Sequence, residues 1–368
     1  MVTTPIWQQA APGTRGGLNP GAPPPPGRGP QPDGGRGRRW LLGVGIVVAA
    51  VIAFAGTDTP TDLMAGPAPA DARRPAVTAP TVRPADDAFG ASGEIRMRYA
   101  RAGDAVEFPL AVQGDPRGFT YQWVRLRDSE SGDVERPLVA ARPLLTPLTP
   151  GFYRLVLSRA GTKQLVGEPV LAVIMPFELK FGSELNGYKI GHYPAEWMGS
   201  GEKEKPEGFI EVRGPEDLDL TVSKHLRLRD FLSHDAQVGW PRYIALNQRI
   251  VDKVELVLAE LGRRRGDDGL KIDIRVHSGF RTPAHNSSVE GAARDSRHLY
   301  GDAADVAVDA DGDGRFTLID AYNVERAVDW IEKLHPELVG GMGVYSSPRF
   351  ATPYVHIDAR GERKRWRG

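Results

Sequence analysis

The rhythm of apolar and polar positions changes several times along the chain, and each change marks a segment. Up to residue 39 there is almost no large apolar side chain, only a Pro/Gly-rich leader with the run Pro23-Pro24-Pro25-Pro26. Such a segment cannot bury enough surface to offset its ordering entropy, so disorder is expected. Trp40 to Ala55 is then continuously apolar, with no charge until Asp58. A membrane helix needs about 20 residues, with ~17 as the lower limit, so a span over 40–56 is short but adequate. Arg36, Arg38 and Arg39 precede it and put its amino-terminal side in the cytoplasm. No polar face exists on this run, which argues against a buried soluble helix. A signal sequence cleaved near Ala53-Phe54-Ala55 is the alternative to a signal anchor, and both export the rest of the chain.

Residues 57–92 are Pro/Ala-rich (Gly66-Pro67-Ala68-Pro69, Arg83-Pro84) and read as an extended tether. Over 93–176 the period becomes two. Val106 to Val112, Thr120 to Val124 and Phe152 to Leu157 alternate, separated by turn clusters at Gly114-Asp115-Pro116 and Thr149-Pro150-Gly151. Short strands, a central Trp123 and a Pro-Gly-Phe-Tyr corner predict an all-β sandwich similar to an immunoglobulin-like module without its cysteines. Its expected role is that of a spacer or binding module. Residues 177–368 are α+β. Arg242 to Leu261 shows helical spacing (Ile250, Val254, Val257, Leu258, Leu261), Leu270 to His277 alternates as a strand, Asn323 to Leu334 reads as a helix and Pro353 to Asp358 as a late strand.

Composition narrows the chemistry. Among 368 residues, Lys+Arg 47 balances Asp+Glu 47, which removes the electrostatic footprint expected of a nucleic-acid partner. Cys 0 excludes disulfides, thiolate metal sites and a Cys nucleophile. A metal site here needs His, Asp, Glu or backbone oxygen.

Such residues occur in Ser296-Arg297-His298-Leu299-Tyr300-Gly301-Asp302-Ala303-Ala304-Asp305. A Gly-containing loop delivers His298, and a strand follows in which Asp305 shares a face with Ala307, opposite Val306 and Val308. His356 sits on a later strand with Tyr354 and Asp358 on its own face. Two His and one carboxylate, with a fourth position for water, is the ligand count of a hydrolytic zinc centre. Spacing alone leaves hydrogen-bonded structural histidines as the alternative.

Four motifs occur in order: Ser278-Gly279-Phe280-Arg281-Thr282-Pro283-Ala284-His285-Asn286, Ser296 to Asp305, Gly340-Gly341-Met342-Gly343-Val344-Tyr345, and Tyr354-Val355-His356-Ile357-Asp358. Together, over roughly residues 230 to 366, they resemble the zinc D-Ala-D-Ala carboxypeptidase family, LAS-type peptidoglycan peptidases related to the hedgehog amino-terminal domain. The resemblance implies a small antiparallel sheet with flanking helices. It implies zinc held by His298, Asp305 and His356, Arg281 facing the substrate carbonyl or carboxylate, and Ser296 contacting substrate. It further implies hydrolysis of peptide bonds in the peptidoglycan stem. Many relatives carry an acid three residues before the last His as general base. Here that position is Pro353, and Asp358 is the nearest carboxylate, either for proton transfer or as an orienter of a ligating imidazole.

A second metal signal is independent. Asp309-Ala310-Asp311-Gly312-Asp313-Gly314-Arg315-Phe316-Thr317-Leu318-Ile319-Asp320 fits a twelve-residue calcium loop, with acids at Asp309, Asp311, Asp313 and Asp320, the carbonyl of Arg315, and Gly312 at the turn. A solvated acidic turn is the alternative. The other histidines lack ligand spacing, and of them His285 is a candidate on the substrate side. Arg360, Arg363, Lys364, Arg365 and Arg367 read as a solvated basic tail.

The expectation is a zinc peptidase anchored in a bacterial cytoplasmic membrane by one helix, acting on stem peptides outside it. The competing readings are a wall-binding scaffold that has lost turnover, and a zinc peptidase for exported proteins.

Overall fold

The computed structural model describes residues 82–83, 90–108, 111–112, 118–127, 133–138, 143–197, 204–266, 272–346 and 352–368. The Pro/Gly leader, the apolar run Trp40 to Ala55 with its alternative cleavage point, and all of the tether except residues 82–83 and 90–92 lie outside the described residues. Among the described residues no helix is long and apolar enough to cross a membrane.

Period-two alternation makes the first sheet. Its strands are β1 (Met97–Arg101), β2 (Phe119–Arg125), β3 (Gly151–Arg159), β4 (Thr162–Pro176), β5 (Gly208–Val212) and β6 (Arg242–Ile244). They run β6-β5-β4-β3-β2 with Arg136–Pro137 as the far edge, and β1 lies parallel to β4. On β2 the residues Phe119, Tyr121 and Trp123 are buried, whereas Thr120 and Gln122 between them are only half-buried. Trp123 donates its indole N–H to the carbonyl of Leu145 at 2.8 Å and packs with Val106, Leu144, Leu155 and Leu171. The run expected as one strand from Val106 to Val112 is two pieces with different partners: Ala105–Val106 pairs with Leu144–Leu145, and Ala111–Val112 with Val82–Arg83.

This sheet does not end with the β-rich segment. Met175 and Pro176 of β4 pair with Phe209 and Gly208 of β5, and Ile95 bridges to Ser223. Phe152, Ala172 and Ile174 share one apolar core with Phe209, Leu258 and Ile357. Residues on either side of position 176 therefore bury their faces together.

The second sheet carries β7 (Ile274–Ser278), β8 (Ala303–Val308), β9 (Gly341–Tyr345), β10 (Tyr354–Asp358) and β11 (Lys364–Arg367) in the order β7-β8-β10-β9-β11. All neighbours are antiparallel except β9 and β11. Helices α1 (Gln248–Arg265) and α2 (Leu318–Leu334) cover one face. Val306, Val355, Ile357 and Val344 share that core with Ile250, Val254, Leu258, Val324 and Val328.

Both helix boundaries differ from the periodicity. Arg242–Ile244 is strand rather than helix, and α1 starts only after Asn247, whose side-chain oxygen accepts the N–H of Arg249 at 3.0 Å. An N-cap must adopt extended backbone, so the helical run cannot reach further back. Conversely α2 begins at Leu318, ahead of the expected Asn323. Thr317 and Asp320 form a reciprocal capping box there.

The basic carboxyl-terminal segment is not a solvated tail. It is the edge strand β11, and its arginines are paired. Arg365 bonds Asp329 and Glu332 on α2, Arg367 bonds Glu325, and Arg363 bonds Asp329 at 3.0 Å. Acids on the facing helix, distant in sequence, decide this.

Candidate metal centre

The face of the second sheet opposite the helices holds the chemistry. Strand register sets Ser278 beside Asp305, Asp305 beside His356, His356 beside Gly343 and Gly343 beside Trp366. Side chains in register on adjacent strands share a face, so this is one row across five strands. His298 comes to the row from a 3-10 turn, Arg297–Tyr300, that Gly301 ends at φ 68°.

His298, Asp305 and His356 are all buried and converge. His298 Nε2 lies 3.2 Å from Asp305 Oδ1 and 3.2 Å from His356 Nδ1, and His356 Nδ1 lies 2.8 Å from Asp305 Oδ1. The outer nitrogens are engaged elsewhere. His298 Nδ1 donates to the carbonyl of Gly279 at 2.6 Å, and His356 Nε2 faces Asp358 Oδ2 at 3.1 Å. With those N–H groups spent outward, the inner atoms present lone pairs to one point. Ligand atoms at 2.0–2.1 Å from a tetrahedral zinc lie roughly 3.3 Å from one another, close to the spacing here. The donor set, two imidazoles and a carboxylate, suits zinc without a thiol.

Electrostatics agree with a cation at that point. Burial lowers the pKa of His298. Burial opposes charge on His356 too, but its bonds to Asp305 and Asp358 outweigh this and push it up to about 9. Asp305, although burial would raise it, is held well below the usual carboxylate range by the two imidazoles. In the metal-free chain the two carboxylates beside His356 thus favour its protonated form.

The remaining candidates divide. Arg281 joins the site: its Nε donates to Ser278 Oγ at 2.7 Å and its terminal nitrogen to Asp305 Oδ2 at 2.6 Å. Ser296 is the N-cap of the His298 turn, and its hydroxyl makes no capping hydrogen bond. His285 sits in the short turn Pro283–Asn286 after Arg281, half-buried, and burial lowers its pKa.

Asp358 does not suit proton transfer. Its carboxylate is fully buried and takes Gly341 N at 2.7 Å, Arg360 N at 3.1 Å, Arg360 Nε at 2.9 Å to both oxygens, and His356 Nε2. Burial would raise this carboxyl, but His356 and Arg360 hold it far below its ordinary value. A carboxylate so saturated orients the imidazole and has no lone pair left for a water. Pro353, just ahead of β10, offers no acid either.

Of the proposed calcium ligands, Asp309, Asp311 and Asp313 gather with their oxygens within 4.8 Å of one another. Asp320 stands apart from that group. Its Oδ1 accepts from Ala310 N and Asp311 N at 2.9 and 3.2 Å, and its Oδ2 from Thr317 N and Oγ1, both at 2.7 Å. Helix capping has taken the twelfth position of the loop. Arg315 donates its backbone N–H to Asp313 Oδ1 at 2.8 Å.

Three contributors stand outside the ligand motif. The Gly279 carbonyl is backbone, invisible in any residue pattern. Arg360 reads from its neighbours as part of a basic tail, and only its spacing of two from Asp358 hints at the pairing seen here. Lys253, in the middle of α1, donates to Glu332 at 2.7 Å and to the carbonyl of Asp358 at 2.6 Å.

A sheet with two helices on one face carries on the other a convergent His/Asp/His group able to hold a metal ion. Residues 242–325 match the model of the Peptidase M15 family, which bears out the resemblance for the carboxyl-terminal domain and supports a metallopeptidase. The matched stretch holds His298 and Asp305; the fold adds His356. No curated protein matches the chain.

Proposed function

We propose that the chain is a membrane-tethered zinc peptidase that hydrolyses peptide bonds in the peptidoglycan stem outside the cytoplasmic membrane, as a D,D-carboxypeptidase or an endopeptidase. The observation carrying this reading is that His298 Nε2, Asp305 Oδ1 and His356 Nδ1 meet within 3.2 Å with their partner N–H groups turned outward. When bound, zinc supplies Lewis acidity toward a carbonyl and lowers the pKa of water. The chain's own residues do the rest. Gly279 and Asp358 fix the imidazole orientations, and Asp305 contributes the anionic ligand. Arg281 holds Asp305 and brings a guanidinium to the rim, where it opposes negative charge developing on the substrate carbonyl. Ser296 and His285 are available to the substrate.

The apolar run Trp40 to Ala55 with its preceding arginines supports the anchor. Tyr153, whose hydroxyl donates to the carbonyl of Thr149 at 2.9 Å, supports an immunoglobulin-like sandwich, because that fold uses such a corner. The acidic turn is a calcium site in reduced form, Asp309, Asp311 and Asp313 with the carbonyl of Arg315. Calcium should raise the unfolding temperature of the parent and leave Asp311→Ala unchanged.

The decisive test is metal content of the purified full chain. One zinc per chain, lost in His298→Ala, is the expected result; a parent without zinc rejects the reading. Muropeptides incubated with the loaded protein should be cleaved, and chelator should stop cleavage. The saturated Asp358 and the Pro353 position favour a second reading, a wall-binding protein without turnover. It predicts retention on insoluble peptidoglycan with muropeptides left intact.

A further inference from the structure

The last strand runs beside the metal centre, and its one aromatic residue stands in the same row as the ligands. Trp366 lies opposite Gly343 in the parallel β9–β11 pairing, while Gly343 lies opposite His356. A Cβ built on Gly343 would come 2.1 Å from Trp366 Nε1, so the glycine leaves the space that the indole occupies. The Trp366 ring lies 5.2 Å from the His356 ring, centroid to centroid, and its Nε1–H donates to the Tyr345 hydroxyl at 2.9 Å. The guanidinium of Arg360 stands 5.9 Å from the indole centroid. Arg360 in turn grips both oxygens of Asp358, and Asp358 holds His356 Nε2.

His356 is therefore restrained twice from the carboxyl-terminal end of the chain. Trp366 limits the plane of the ring from beside it, its own ring tilted 46° to the imidazole, and Arg360, 5.9 Å from the same indole, sets the carboxylate that fixes its outer nitrogen. We propose that β11 is a clamp on the metal centre, in which Trp366 is a positioning residue that sets the orientation of His356 and so the affinity and geometry of the metal. The inference rests on the zinc reading above. A partner one bond removed from a ligand is worth about 10–100-fold in metal affinity, and a ring restraining that ligand acts through the same lever.

The alternating aim of β11 makes the clamp rigid. Arg365 and Arg367 point to α2 and bond Asp329 and Glu325, which leaves Trp366 on the metal side.

The test uses the full chain, with zinc affinity from competition against a chromophoric chelator and the absorption spectrum of the cobalt(II)-substituted protein. Trp366→Ala is expected to weaken zinc binding by about tenfold and to change the cobalt ligand-field bands even at saturation. Trp366→Phe, which keeps a ring against His356, should stay nearer the parent. Gly343→Ala, which displaces the indole without deleting it, should behave like Trp366→Ala. Thermal unfolding of the metal-free proteins separates loss of fold from loss of orientation. Should Trp366→Ala unfold in the metal-free state, the cobalt spectrum and affinity of Gly343→Ala and the affinity of Arg360→Lys carry the decision. Parent-like affinity and spectrum in Trp366→Ala, or in these two variants where Trp366→Ala does not fold, overturn the clamp. A parent that binds neither metal overturns the zinc reading instead.

Discussion

Gly301 shows how much rests on single residues around this centre. It closes the turn that carries His298 with φ 68°, and a Cβ there would lie 2.1 Å from the carbonyl oxygen of Ala245. Its own carbonyl accepts the N–H of Asn247 at 2.8 Å, which ties the His298 turn to the cap of α1. A non-glycine residue in the left-handed region costs roughly 1–3 kcal/mol before any clash. Gly301→Ala should therefore lower stability by at least that much in chemical denaturation and weaken zinc binding with it. A variant as stable as the parent would show that the backbone can relax there. At this scale the motifs were legible, because His298, Asp305 and His356 are the residue types that zinc chemistry needs. The role of Asp358 was not, since one carboxylate in a strand looks the same whether it faces water or five donors.

At the scale of elements, α1 does more than cover the sheet. Lys253 is wholly buried, and its ammonium bridges Glu332 of α2 and the Asp358 carbonyl of β10. Burial lowers its pKa, while Glu332 works in the opposite direction. Removing one partner of a buried pair typically costs about 3–5 kcal/mol, because the other charge is left without compensation. Lys253→Met should show a loss of that order in urea unfolding, softened where Arg365 also bonds Glu332. The double variant Lys253→Met/Glu332→Gln should recover part of it. Additive losses would instead mean that the two groups do not act as a pair. Periodicity located α1 and α2 but misplaced both starts. Caps are made by side-chain hydrogen bonds at Asn247 and Thr317, which a hydrophobic pattern does not register.

At the scale of the whole molecule, the β-rich segment and the domain with the His/Asp/His group share a sheet through β4 and β5 and a common core. Residues 90–95 also dock on this domain. Ala91 and Ser92 donate to the carboxylate of Asp252 in α1 at 2.8 and 2.9 Å. One cooperative unit is expected, so calorimetry of the full chain should show a single transition for residues 90–368. A chain that begins at residue 177 should fail to reach a native circular dichroism spectrum, because Gly208 and Phe209 would lose the β4 residues they pair with. Two separated transitions would refute this coupling.

The sequence by itself determined the chemistry: which side chains can ligate a metal, which strands alternate, and that cysteine plays no part. Those properties belong to residue type and to local period. Tertiary structure alone decided the partners, because a partner is set by register between strands far apart in the chain. It turned Asp320 into a helix cap, Asp358 into an orienter of His356 and a supposed tail into the strand carrying Trp366. Each of these depends on which donors a carboxylate or a ring meets once the sheet is assembled.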